Sequence, residues 1–156
     1  VAEVLERNGV APNRLCLEVT EADLIVDTEL VVDQLARFKA LGVRLAIDDF
    51  GTGFATLDYL RRFASADVLK VDASFVAGVT DPSSHDLAIV SAAMVLADNL
   101  GFDTVAEGVE TEAQREVLER LGCSQAQGYL FSRPVEADAI DVMVRAQRQQ
   151  DRPALR

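Results

Sequence analysis

The chain has 156 residues, 49% hydrophobic and 26% charged, with 15 basic and 26 acidic side chains giving a net charge of −11. That size and composition suit one globular domain with its own core. The acidic balance excludes nonspecific nucleic-acid binding and a polybasic membrane anchor, and the lack of an apolar run of about 18 residues excludes a membrane-spanning helix.

Val1 opens directly into a helical pattern, VAEVLERNGV, with neither Met nor a signal peptide, as expected of a segment cut from a longer chain. LCLEVTE (15–21) is short, apolar and β-branched and reads as a buried strand. TELVVDQLARFKALG (28–42) carries apolar residues at 31, 32, 35, 38 and 41, a helical stripe closed by Gly42. VRLAIDDF (43–50) is a second strand, FATLDYLRRF (54–63) a short helix and DVLKVD (67–72) a third strand. In 81–102 a helical stripe runs through Leu87, Val90, Met94, Ala97 and Leu100, with Ser83 or Ser84 as N-cap and Gly101 as the stop. DTVAEGVE (103–110) is the fourth strand. TEAQREVLERLG (111–122) starts with a capping box, Thr111 and Gln114. SQAQGYLF (124–131) is the fifth strand; Pro134 starts a last helix, and a polar tail (146–156) follows a domain of residues 1–145. Cys16 and Cys123 match no metal spacing and read as free thiols of a reducing cytoplasm.

Alternating strands and helices imply a parallel sheet, either doubly wound and open or part of a (β/α)8 barrel. No G-x-G-x-x-G or Walker-type loop follows any strand. The first four strands instead carry charge near their C-terminal ends, Glu18, Asp48 with Asp49, Lys70 and Glu107, and the fifth carries Gln127. In parallel α/β folds those ends gather on one face. Strand parity puts Glu18, Asp48, Lys70 and Glu107 opposite the apolar side that meets the helices.

Taken singly, each acid reads as a solvated strand-end charge and Lys70 as half of an ion pair. Converging, four carboxylates repel unless cations sit between them, and an all-oxygen set suits Mg2+ or Mn2+. Paired divalent ions serve phosphodiester hydrolysis, and two adjacent aspartates suit two adjacent ions. The loop GTGFATL between strand and helix suits a mobile lid, or is a connector. Glu21 and Glu110, three residues beyond Glu18 and Glu107, are either loop-bracing, ligand-side acceptors or surface acids. His85 is a first-turn surface residue.

The strings LEVTE, DDFGTG, VLKVD, AEGVET and AQGYLFSRP, in this order and spacing, resemble the EAL domain, the cyclic-di-GMP phosphodiesterase family, over about residues 1–145. The resemblance implies a modified (β/α)8 TIM-like barrel with its first strand antiparallel, here a partial barrel of about five parallel strands, numbers four to eight. It also implies a two-metal site that linearises cyclic-di-GMP to pGpG. By motif, Glu18 resembles a ligand of the first Mg2+ or Mn2+ ion, Asp48 the bridging ligand, and Asp49 and Glu107 ligands of the second. Lys70 resembles the lysine near the attacking water, Gln127 the last-strand glutamine, and Glu21 the acid bracing the lid loop. Phe54 stands where tyrosine is common, and RRFASADVLK is one residue longer than the usual form.

The E-A-L-x-R strand and the asparagine strand would lie upstream, with one glutamate, one asparagine and a phosphate-gripping arginine. The isolated segment is therefore expected to be inactive and its open sheet edges to favour pairing with another chain. The partners implied are cyclic-di-GMP, an upstream sensory or diguanylate cyclase domain and a second copy of the chain, in the cytoplasm, with no nucleic-acid polymer. A catalytically silent EAL-type module that binds cyclic-di-GMP or a protein is the alternative, and an unrelated metal-dependent barrel enzyme the third reading.

Overall fold

Short runs of Val, Leu, Ile and Ala, too brief for helices and bounded by turn residues, lie side by side in chain order. In the computed structural model, which describes residues 1–20, 28–52, 63 and 65–150, they are β1 (Cys16–Thr20), β2 (Arg44–Phe50), β3 (Val68–Val71), β4 (Asp103–Ala106) and β5 (Gln125–Ala126). All four pairings are parallel and the order is β1-β2-β3-β4-β5. The sheet is thus an open arc, with β1 and β5 as its edges among the described residues. The helices are α1 (Ala2–Arg7), α2 (Thr28–Ala40), α3 (Ala73–Ala77), α4 (Asp86–Leu100), α5 (Glu112–Arg120) and α6 (Ala137–Gln150), with a 3-10 turn at Pro12–Arg14.

The core lies on one side of the sheet. Leu45, Ile47, Leu69, Val71 and Ala106 from the strands meet Leu35 of α2, Val90, Ala93, Met94 and Ala97 of α4 and Leu118 of α5. Alternation along each strand sends the next residues to the other side, where Cys16 and Glu18 are exposed. The expected parity therefore holds. Every described side chain of α6 is exposed, Ile140, Val142, Met143 and Val144 included.

Several boundaries differ from the sequence reading. The fourth strand ends at Ala106 and the fifth at Ala126, so Glu107 and Gln127 each stand one residue beyond a strand. The chain past β5 keeps backbone bonds without remaining a strand: Gln127 N–H donates to Ala106 O, and Val109 N–H to Gln127 O. It then turns, with Phe131 N–H and Ser132 N–H on the Gly128 carbonyl. That turn delays the last helix, which begins at Ala137 rather than Pro134 and runs to Gln150. The helix expected after Ser83 or Ser84 begins at Asp86 with exposed His85 as N-cap. Ser84 Oγ accepts the Asp86 N–H at 3.0 Å, while Ser83 is drawn to Asp81. The capping box holds, since the Thr111 side chain accepts from Gln114 N and Gln114 from Thr111 N. The helix expected over 54–63 and the loop GTGFATL beyond Thr52 lie outside the described residues.

One glycine is dictated by close approach. At Gly128 (φ 156°) a Cβ would lie 2.2 Å from the carbonyl oxygen and 2.3 Å from the nitrogen of Val109. At Gly122 (φ 81°) nothing lies within 4 Å. We expect Gly122→Ala to cost about 1 kcal/mol of left-handed backbone strain, and Gly128→Ala to cost about 3 kcal/mol because backbone must shift as well. Equilibrium urea denaturation checks the order; equal losses would contradict the Val109 contact.

Candidate metal centre at the strand ends

Lys70 lies within β3, all four residues of which are buried. Its side chain, 8% exposed, points away from the helices and ends at the C-terminal edge of the sheet. Lys70 Nζ donates to Asp48 Oδ1 at 2.8 Å. It also lies 3.0 Å from Glu18 Oε2 and 2.8 Å from Glu107 Oε1. The three acids come from β1, β2 and the residue after β4, so pairing of three neighbouring strands with β3 or with one another builds the contact. Gln127 Nε2 donates to the same Glu107 oxygen at 2.5 Å.

Asp49 joins the group through an irregularity in β2. Ile47 pairs with Leu69 but Phe50 pairs with Val71, so three steps along β2 match two along β3. This is a bulge, and Asp49 sits in it at φ 55°, the one non-glycine with positive φ among the described residues. In a regular strand adjacent side chains point to opposite faces. The bulge breaks that rule, and oxygens of Asp48, Asp49 and Glu107 come within 4.8 Å of one another. Aspartate is among the few residues that tolerate this backbone region.

The electrostatics favour a further cation. Two carboxylate charges at 4.8 Å repel by about 3–4 kcal/mol at an effective dielectric near 20. Lys70 supplies one positive charge against four acids. Burial by itself acts to strip its proton. Hydrogen bonds to Asp48, Glu107 and Glu18, with the Glu107 charge, outweigh burial and hold its pKa well above the usual lysine value. The three acids therefore favour the charged form of Lys70. The carboxylate oxygens are hard donors matched to Mg2+ or Mn2+, so Asp48, Asp49 and Glu107 fit such an ion, and Glu18 borders them through Lys70.

The other expected residues sort clearly. Glu110 is exposed and is not in the acidic cluster; it lines a cleft of about 620 Å³ shared with Gln127, Tyr129 and Arg133. Glu21 lies outside the described residues. His85 is exposed at the start of α4. The sequence reading missed the cleft pair, Arg133 stacked 4.5 Å over the Tyr129 ring; an aromatic four residues before an arginine in GYLFSRP was the available signal.

The parallel sheet, its helices and the acidic strand ends define an α/β barrel-type site. The chain belongs to the EAL domain family, whose profile matches residues 1–134, and its fold is a partial barrel of that type. It is 44% identical over 140 residues to "Bifunctional diguanylate cyclase/cyclic di-GMP phosphodiesterase MucR" of Pseudomonas aeruginosa, covering 90% of this chain and 20% of MucR. It is 44% identical over 156 residues to "Cyclic di-GMP phosphodiesterase NbdA" of the same organism, covering 100% of this chain and 20% of NbdA. The chain thus spans about one-fifth of the length of these curated relatives. The solved MucR phosphodiesterase in complex with c-di-GMP superposes with TM-score 0.82 at 44% identity, covering 88% of this chain and 55% of that one. A manganese/cyclic-diGMP complex of Klebsiella pneumoniae BlrP1 gives TM-score 0.79 at 38% identity, covering 85% and 33%.

The bulge yields a prediction. Asp49→Asn should leave stability within about 0.5 kcal/mol, because Asn also tolerates left-handed backbone, whereas β-branched Asp49→Val should cost about 2 kcal/mol. Both should weaken Mn2+ binding. Urea denaturation beside Mn2+ titration checks this; a harmless valine would contradict the bulge geometry.

Proposed function

We propose that the longer protein carrying this chain hydrolyses cyclic-di-GMP to pGpG at the Lys70 centre, with two Mg2+ or Mn2+ ions. The observation that carries this reading is the meeting of the Asp48, Asp49 and Glu107 oxygens within 4.8 Å beside a lysine bonded to two of them. The names of MucR and NbdA and the ligands of the MucR and BlrP1 complexes support it.

In this reading Glu18 and Asp48 would hold the first ion, and Asp48, Asp49 and Glu107 the second. Bound divalent ions would supply an activated water and charge stabilisation for phosphodiester cleavage. Lys70 brings a positive charge to the side of the reacting phosphate. Gln127 fixes the rotamer of Glu107 through their 2.5 Å hydrogen bond. Glu110, at the rim of the adjoining cleft, would accept from N–H groups of the ligand. The partners that go with this reading are an upstream sensory or diguanylate cyclase domain and a second copy of the chain, in the cytoplasm. No helix among the described residues is long and apolar enough to cross a membrane.

Asp48→Asn in the full-length protein should lower pGpG formation by at least about 100-fold, since both ions lose a charged ligand. His85→Ala, at an exposed N-cap, should leave turnover within about twofold. An Asp48→Asn enzyme with most of its turnover would contradict the bridging role. A polypeptide of residues 1–156 alone should form pGpG at less than about a tenth of the full-length rate, because misplacement of about 1 Å already costs around a hundredfold. A side-by-side assay with Mg2+ and Mn2+ decides it, and turnover within tenfold would contradict the assignment of the first ion's ligands.

A further inference from the structure

The acidic rim is assembled around one ammonium group. An ammonium group has three N–H donors, and Lys70 Nζ has three carboxylates within 3.0 Å, each on a different segment of the fold. It engages Glu18 through Oε2, Asp48 through Oδ1 and Glu107 through Oε1. Among the described residues no donor meets the second oxygen of any of the three, or either oxygen of Asp49. Glu18 is 52% exposed yet still turns toward this one buried group. The pattern, several acidic oxygens around one small, hard, positive centre, is the one that an oxygen-ligated metal ion also makes.

We infer that Lys70 is a built-in stand-in for the metal: without divalent ions its ammonium holds Glu18, Asp48 and Glu107 together, and cation binding proceeds by drawing those oxygens away from it. This rests on the reading that the same carboxylates hold divalent cations. Lysine suits the task, because its charge sits on a flexible four-carbon stem and can withdraw, whereas a guanidinium is broad, planar and held by its fork of donors. Asp49, not engaged by Lys70, is the arm open to an arriving ion, with the second oxygens of Asp48 and Glu107 beside it.

Two opposed effects follow, and their sizes fix the sign of the test. Removing the ammonium lets the metal-free carboxylates repel one another and spread, which weakens preorganisation. It also removes a positive charge from beside a dication. The second effect is the larger, because charge repulsion over a few ångströms in a partly buried site exceeds the cost of ordering a few side chains. Lys70 therefore lowers metal affinity while stabilising the metal-free protein, so the centre stays folded and closed at low free cation.

The test uses metal-stripped full-length protein with Mn2+ as the probe, free Mn2+ being read by electron paramagnetic resonance. Lys70→Met and Lys70→Gln should melt at lower temperature than wild type in chelator. They should bind Mn2+ at least about tenfold more tightly, and Mn2+ should raise their melting temperatures by more than it raises that of wild type. Lys70→Arg, which keeps the charge, should bind no more tightly than wild type. A stability loss common to any core substitution would not tighten metal binding. Unchanged or weaker Mn2+ binding in both Lys70→Met and Lys70→Gln, with wild type binding normally, would overturn the stand-in role. Wild-type Mn2+ binding that is indifferent to Asp48→Asn would overturn the cation reading itself, whatever Lys70 does.

Discussion

A single ammonium, buried at the end of β3, neutralises carboxylates that arrive from three other segments, and the C-terminal face is arranged around it. Lys70 reaches Glu18, Asp48 and Glu107 within 3.0 Å because β1, β2 and β4 are in register around β3. Slipping any of those strands by one residue would turn its acid to the helix-packed side. The ion cluster and the strand register therefore specify each other. The acids remain in excess of the one lysine, and the residual repulsion between them favours a further cation.

The opposite end of the sheet keeps that register. Asp67, just before β3, accepts from Lys39 Nζ at 2.6 and 2.7 Å and from the Leu45 N–H at 2.8 Å, tying α2, β2 and β3 together. Arg44 at the start of β2 reaches Asp103 at the start of β4 at 2.6 Å, across β3. Exposed ion pairs contribute little each, but Asp67 also satisfies a backbone donor. At the functional end the backbone is irregular instead: a left-handed Asp49 in a bulge, and Gly128 against Val109. Regular pairing below and tailored backbone above is how a parallel sheet aims several side chains at one point.

The strands, their parity and the acidic convergence were legible because each rests on local pattern. In LAIDDF and VLKVD, Asp48 and Lys70 stand at the opposite parity to Leu45, Ile47, Leu69 and Val71, and those apolar residues do form the core. Asp49 shows the limit. Simple alternation would have sent it to the face opposite Asp48, and only the register shift against β3 brings both into one cluster. A bulge is a relation between two strands, so no single strand announces it. The fifth strand is present but shorter than read for a similar reason: QAQGYLF has a strand-like composition, but the approach of Val109 to Gly128 and the turn after it end the ladder at Ala126. Pro134 misled because proline at a first helical turn is common, while the turn before it left Ala137 as the start. Thr111 and Gln114 succeeded because a capping box lies within four residues.

The proposed function rests on charge arrangement more than on fold. Hard oxygen donors, a lysine whose charged form its acids favour and an adjoining cleft together suit a phosphodiester whose cleavage develops negative charge. The central claim, that two ions share Asp48, is tested most directly by the electron paramagnetic resonance spectrum of Mn2+ bound to metal-stripped full-length protein in the presence of cyclic-di-GMP. The account predicts two Mn2+ per EAL domain with the exchange-split lines of a carboxylate-bridged pair, replaced by uncoupled lines when Asp48 is changed to Asn. A single uncoupled Mn2+ in the unaltered protein at saturation would contradict it.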